Sequence, residues 1–167
     1  MKEARGNMLE MDCDALVVTI NGFVKENGEA VMSRGIAKQI ADLMPEIPKK
    51  LGGMLHLFGN NVSVLTNNPM PIVNFPVKPD YVRNNGTNVV SHCKTQIGEL
   101  KAGFLAKADI QLIEKSLIQL VKLANRKSEW KVILIPRVGC GAGELNYKDT
   151  KPLMEKYLDD RFICCTY

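Results

Sequence analysis

No stretch of the chain approaches the roughly 20 consecutive apolar residues that cross a bilayer, so a membrane-spanning helix is excluded. Histidine is scarce, with only His56 and His92 in 167 residues. The 5 cysteines (Cys13, Cys93, Cys140, Cys164, Cys165) are odd in number and lack metal-ligand spacing. We therefore expect neither a metal site nor a disulfide framework, and no resident cofactor. Met1–Gly6 carries no apolar signal region, and with the unpaired cysteines this points to the cytoplasm. The net charge of +4 is too small to mark a nucleic-acid binder by itself, although it favours an anionic ligand. A hydrophobic fraction of 46% and a charged fraction of 24% are those of a globular domain, and the length suits a single one with a sizeable core.

The informative part is Ile133-Leu134-Ile135-Pro136-Arg137-Val138-Gly139-Cys140-Gly141-Ala142-Gly143-Glu144. A β-branched apolar run reads as a buried strand and breaks into a loop with three glycines in five residues. Such a loop can bring successive backbone N–H groups to one concavity, where the usual guest is a phosphate. A tight turn without a ligand is the alternative. A second unit tilts the balance: Asp14-Ala15-Leu16-Val17-Val18-Thr19-Ile20 reads as a strand and runs into Asn21-Gly22. The apolar residues Ile36, Ile40, Leu43 and Met44 then follow at helical spacing after Ser33-Arg34-Gly35. A helix amino end near a strand's carboxyl end is an anion site. A diphosphate held between the two loops is the economical reading.

The remaining elements alternate. A short strand over Lys2–Arg5 precedes the Ala15–Ile20 strand, and a helix from about Met32 to Met44 is stopped by Pro45 and Pro48. Met54–Phe58 and Val62–Leu65, around Gly59-Asn60-Asn61, suggest a hairpin with His56 on an exposed strand position. Pro71–Pro76 reads as a strand. Asp109–Asn125 is the clearest helix, with Ile110, Ile113, Leu117, Leu120, Val121 and Ala124 as its apolar stripe and Lys115, Gln119 and Lys122 outward. A strand over Val132–Ile135, a helix over Asp149–Leu158 with Pro152 near its start, and a strand over Phe162–Tyr167 complete the pattern. Strands alternating with helices predict a three-layer α/β/α sandwich with a mixed, largely parallel central sheet. Both glycine loops would lie at the carboxyl ends of its strands, where open α/β sheets bind ligands. Residues of about 80–107 read as an insertion with Lys94, Lys101 and Lys107 on its surface.

On these motifs the chain resembles the macro domain family, ADP-ribose-binding modules and hydrolases of α/β/α fold. Gly6-Asn7-Met8 is similar to the family's Gly-Asp-Ile, and Asp14–Asn21 to its Asp-Ala-Ile-Val-Asn-Ala-Ala-Asn. Val31–Ala37 is similar to its first phosphate loop and Pro136–Gly141 to its second. Four motifs in the right order span nearly the whole chain. The closest likeness is to the small stand-alone bacterial and phage members, near the terminal ADP-ribose protein glycohydrolase and the ADP-ribose-1″-phosphate phosphatase. The departures are Asn7 for the Asp that bonds the adenine amine, Val18 for the first motif asparagine, and Ser33 for a glycine. Gly143 stands where the glycohydrolase branch carries a catalytic Asp, with Glu144 the nearest acid.

The resemblance implies that the chain binds ADP-ribose or a derivative, free or carried on an ADP-ribosylated protein. Adenosine would lie by Asn7 and Met8, the distal ribose by Asn21, and the diphosphate between Ser33, Arg34, Gly35, Ile36 and Val138, Gly139, Cys140, Gly141, Ala142, Gly143. Hydrolysis of ADP-ribose-1″-phosphate or of an ADP-ribosyl ester stays open beside a non-catalytic binding module. Turnover would need a group to take or give a proton. Asn21, Glu144 and Glu29 are the candidates, and Lys25 is the lysine nearest the first loop should the chemistry be covalent. Solvated loop carboxylates and an exposed turn pair are the plainer readings of Glu29, Glu144 and Lys25. Cys140 reads as a small filler or a reactive thiol. Nucleic acid is disfavoured as a partner, because no aromatic platform accompanies the insertion lysines.

Overall fold

The computed structural model describes residues 1–167. In chain order the elements are β1 (Lys2–Arg5), β2 (Ala15–Asn21), α1 (Gly35–Leu43), α2 (Ile47–Phe58), β3 (Ser63–Thr66), β4 (Ile72–Lys78), β5 (Tyr81–Arg83), β6 (Leu100–Ala102), α3 (Ile110–Asn125), β7 (Ile133–Pro136), α4 (Tyr147–Tyr157) and β8 (Phe162–Thr166). Six strands form one sheet in the order β1-β8-β7-β2-β4-β3, and every neighbouring pair is parallel except β3 with β4. The sheet is thus mixed and largely parallel, as expected.

Strand residues alternate between the two faces, and each face builds its own core. In β2, Ala15 and Val17 join Phe75, Ile133 and Phe162 under α3 and α4. Leu16, Val18 and Ile20 join Ile40, Leu51 and Leu55 under α1 and α2. A sheet covered on both faces needs strands apolar on both sides, which is why β2 and β4 are mostly apolar, with the buried Asn74 satisfied by Ser63 and the Asn61 carbonyl. Fully buried side chains such as Phe75 and Leu117 each contribute about 1.5–3 kcal/mol of transfer free energy. That burial fixes the sheet's carboxyl edge in place.

Several expectations need correction. Met54–Phe58 is not a strand: Ile47, Leu51 and Leu55 are buried at spacings of four, and Ile47–Phe58 is one helix. Gly59, at φ 77°, is its C-cap, with its N–H on the Leu55 carbonyl, so Gly59-Asn60-Asn61 ends a helix instead of turning a hairpin. His56 is an exposed position of that helix. The antiparallel pair comes from β3 and β4. The first helix begins at Gly35, because Met32–Arg34 is spent in the loop. In α3, Asp109 caps the N–H groups of Gln111 and Leu112, and Ile110 is 40% exposed instead of part of the buried stripe. Gln119 faces β3, accepting from the Val62 N–H and donating to Asn61. The expected insertion contains the hairpin of β5 and β6 with its own small core of Val89, Val90 and Cys93. Lys101 is not on its surface, since only 13% of the side chain is exposed and it pairs with Glu99.

Candidate functional site

Five parallel strands end on one edge of the sheet, and a cavity runs along that edge. Its wall takes Gly6 and Thr166 from the β1–β8 end, Pro136 and Gly141 from the β7 loop, Asn21 from β2, and Lys78 from β4. Four strand spacings separate β1 from β4, about 19 Å. The loop after β2 and the loop after β7 meet in the middle of this span.

Both loops present unpaired donors. The first turn of α1 begins at Gly35 (φ 56°) with Arg34 at the N-cap making no side-chain cap. Neither side chains nor carbonyls of the chain accept from the Gly35, Ile36 and Ala37 N–H groups, as the geometry of a helix amino end dictates. In the β7 loop the same holds for the N–H groups of Gly141, Ala142 and Gly143. The three loop glycines have different duties. Gly139 adopts φ 75°, and a Cβ there would lie 2.9 Å from Ile113. A Cβ on Gly143 would lie 2.5 Å from the Gly139 carbonyl oxygen. Gly141 has neither constraint: nothing lies within 4 Å of where its Cβ would be.

Ser33, Gly35, Ile36, Gly139, Gly141, Ala142, Gly143, Met8 and Asn21 all line the cavity, together with Arg34. Others of the expected set do not. Val138 is fully buried in the α3–α4 core. Cys140 turns its sulfur toward Thr150 of α4, 3.2 Å away, and burial raises its thiol pKa, as suits a filler. Asn7 caps the short turn at Met8–Glu10, accepting from the Leu9 N–H and donating to Glu10. Asn21 spends both ends of its amide within the first loop, donating to the Val31 carbonyl and accepting from the Phe23 N–H, each at 3.0 Å. Lys25 and Glu29 pair with each other at 3.5 Å on the surface, away from the cavity wall.

Glu144 also stands outside the wall. It holds a left-handed backbone (φ 61°) and accepts from both the N–H and the hydroxyl of Ser91. Those bonds, with Lys107 and Lys94 nearby, lower the carboxyl pKa below its usual range. Glu144 therefore ties the β7 loop to Ser91, within residues 80–107.

The residue that sequence reasoning missed is Lys78. It ends β4, is only 6% exposed, and lines the cavity. Its ammonium nitrogen donates to the Phe104 carbonyl at 3.0 Å and to the Ala142 carbonyl at 3.1 Å. Burial lowers its pKa; Glu144 opposes and Arg34 adds to that shift. The available signal was a lone lysine closing the run Ile72–Val77 at a strand's carboxyl end. Phe104, which covers this end of the cavity, packs edge-on to Phe23 at 5.4 Å. Tyr167 closes the other end, its hydroxyl 3.1 Å from Asn7.

The architecture is a mixed, largely parallel α/β sheet with a cavity and two loops of unpaired N–H groups on its carboxyl edge. Comparison with solved structures identifies the fold. The macrodomain of Mycobacterium tuberculosis DarG superposes with a TM-score of 0.69 at 21% identity, over 99% of this chain and 97% of that one. The macrodomain of Thermus aquaticus DarG gives 0.67 at 21%, over 99% and 97%. Thermosipho africanus DarTG, solved in complex with ADP-ribose, gives 0.64 at 20%, over 96% of this chain and 39% of that one. The chain has the macrodomain fold. No protein-family model and no curated protein matches it.

Proposed function

We propose that the cavity binds ADP-ribose or an ADP-ribosyl group, with the adenosine at the Met8–Tyr167 end and the terminal ribose beside Lys78 and Phe104. The two sets of unpaired N–H groups on the α1 and β7 loops carry this reading, because they converge where a diphosphate would lie. The order along the sheet edge agrees: nucleoside, diphosphate and second ribose fit in a row between β1 and β4. The complex of Thermosipho africanus DarTG supports the same ligand.

We further propose that the chain removes what is attached to the terminal ribose, with Lys78 as the nucleophile in place of Lys25. Burial favours its neutral amine. The nitrogen lone pair attacks C1″ of the ribose and the bond from C1″ to the attached group breaks. The group leaves with that electron pair and takes the proton that the nitrogen sheds. Opening of the ribosylamine gives an imine, and water then releases ADP-ribose and the free lysine. The displaced group is phosphate in ADP-ribose-1″-phosphate or an oxygen in an ADP-ribosyl ester. The non-catalytic module keeps one observation in its favour: the two carbonyls on Lys78 stabilise the charged form and make it a strap.

Calorimetry should give heat with ADP-ribose and a weaker signal with AMP. Incubation with ADP-ribose-1″-phosphate and with ADP-ribosylated protein, in the presence of cyanoborohydride, should leave a reduced adduct on Lys78 by peptide mass spectrometry. Binding without release or adduct would establish the module instead.

A further inference from the structure

A groove opens off the cavity on the α4 side, beyond the carboxyl ends of β7 and β8. The two share Arg137, Gly141, Thr166 and Tyr167, and the groove continues over Asn146 and Tyr147. Arg137 is exposed and has no ion-pair partner. Its guanidinium carbon lies over the Tyr147 ring, 4.0 Å from the centroid. That ring is itself fixed, because its hydroxyl donates to Glu3 and Lys151 holds the same carboxylate at 3.0 Å. Glu3 lies near enough to feel the arginine's charge, but its hydrogen bonds go to Tyr147 and Lys151 and it makes no ion pair with Arg137. The ring contact restrains the guanidinium while its donors make no hydrogen bond within the chain, and a restrained fork loses less entropy on binding.

From this we propose a second anion subsite: the groove accepts a phosphoryl group carried on the 2′- or 3′-hydroxyl of the adenosine ribose, and Arg137 is its principal donor. The inference rests on the adenosine placement proposed above, since the groove leaves the cavity at Thr166 and Tyr167, where that ribose would lie. The diphosphate is already served by backbone N–H groups and needs no arginine. A planar fork facing a side branch matches two oxygens of one phosphate.

The test is calorimetry with ADP-ribose, its 2′-phosphate and its 3′-phosphate, on the wild type, Arg137→Gln and Arg137→Lys. At low salt we expect at least one phosphorylated ligand to bind on the order of tenfold tighter than ADP-ribose, as one charge-assisted contact allows. The gain should shrink with added salt. It should fall to about twofold or less in Arg137→Gln and stay intermediate in Arg137→Lys, with melting temperatures unchanged. If neither phosphate improves on ADP-ribose, or Arg137→Gln keeps the gain, the subsite is overturned while ADP-ribose binding stands. If ADP-ribose itself gives no heat, the adenosine placement fails and the subsite falls with it.

Discussion

The Lys78 ammonium nitrogen sits 3.1 Å from the Ala142 carbonyl, so the last residue of β4 is bonded to the loop that follows β7. The strand edge and the β7 loop are therefore one unit, with a titratable amine at their junction. If that amine attacks the ribose, Lys78→Ala should lower turnover on the order of 10³-fold or more. Affinity for ADP-ribose should change far less. Lys78→Arg, always protonated, should fail likewise. The pH profile carries the sign. Burial sets the lysine pKa below its ordinary 10.5, so the neutral fraction and the rate rise with pH, with a midpoint below 10.5. A rate that is flat in pH, with Lys78→Ala active, would leave Lys78 as a strap.

Gly141 and Gly143 should part company. Open space surrounds the Gly141 Cβ position, so Gly141→Val places its methyl groups over the loop N–H donors. ADP-ribose affinity should fall beyond detection with the melting temperature held. Gly143→Ala drives a Cβ against the Gly139 carbonyl and Ala108, and we expect a loss of about 2–3 kcal/mol. For a chain of this size each kcal/mol corresponds to about 2–4 °C. Thermal scans beside calorimetry on the two variants check both halves.

Glu144 should act through Ser91 and not on the ligand. Glu144→Gln keeps one acceptor for the Ser91 N–H, so turnover and affinity should stay within a few-fold. Glu144→Gly removes the acceptor and the left-handed strain together, freeing the insertion with little change in stability. Proteolysis within residues 80–107 should then speed up. Because Ser91 holds the carboxyl pKa below its usual range, the tie is intact at neutral pH and loosens only as pH falls through that lowered value. Equal cleavage rates in wild type and Glu144→Gly would dismiss the tie.

Asn21 places one amide hydrogen on the Val31 carbonyl and accepts the Phe23 N–H on its oxygen, so its amide holds the first loop together. Asn21→Ala should therefore weaken binding and lower the melting temperature together by loosening the first loop. An Asn21→Ala protein that keeps its affinity and melting temperature and loses only kcat would return Asn21 to the chemistry.

The sandwich was legible because β2, β4 and β7 carry apolar runs that only a doubly covered sheet can bury. The two loops were legible because glycine spacing and a helix start stand side by side in the chain. Lys78 was not. Its burial comes from Phe104 and Ala142, residues 26 and 64 positions away, and no local pattern marks a lysine that distant carbonyls will cover. Helix α2 was missed for the opposite reason. Its local signals conflict, since Gly52 and Gly53 disfavour a helix that the burial of Ile47, Leu51 and Leu55 nevertheless imposes, and Pro48, which reads as a stop, instead sits in the first turn.

That conflict gives a last prediction, because the paired helix glycines have opposite surroundings. Alanine in a helix interior is ordinarily favoured over glycine by about 0.5–1 kcal/mol. At Gly53, where no atom lies within 4 Å of the Cβ position, nothing opposes the gain. Gly53→Ala should raise the melting temperature by a few degrees and leave the ligand alone. At Gly52 the Cβ would stand 1.9 Å from the Gly28 carbonyl oxygen and 3.1 Å from the Ala30 nitrogen. The contact is backbone against helix, and the Ala30 N–H is already bonded to the Pro48 carbonyl at 2.9 Å, so no side-chain rotation relieves it. The overlap outweighs the propensity gain, and Gly52→Ala should destabilise by about 2–3 kcal/mol. It should also push Gly28–Ala30 off α2. That segment leads directly into Val31, which holds Asn21, so ADP-ribose affinity should fall even under conditions where the variant is fully folded. A Gly52→Ala protein with wild-type affinity would show that the first loop does not depend on α2 for its position.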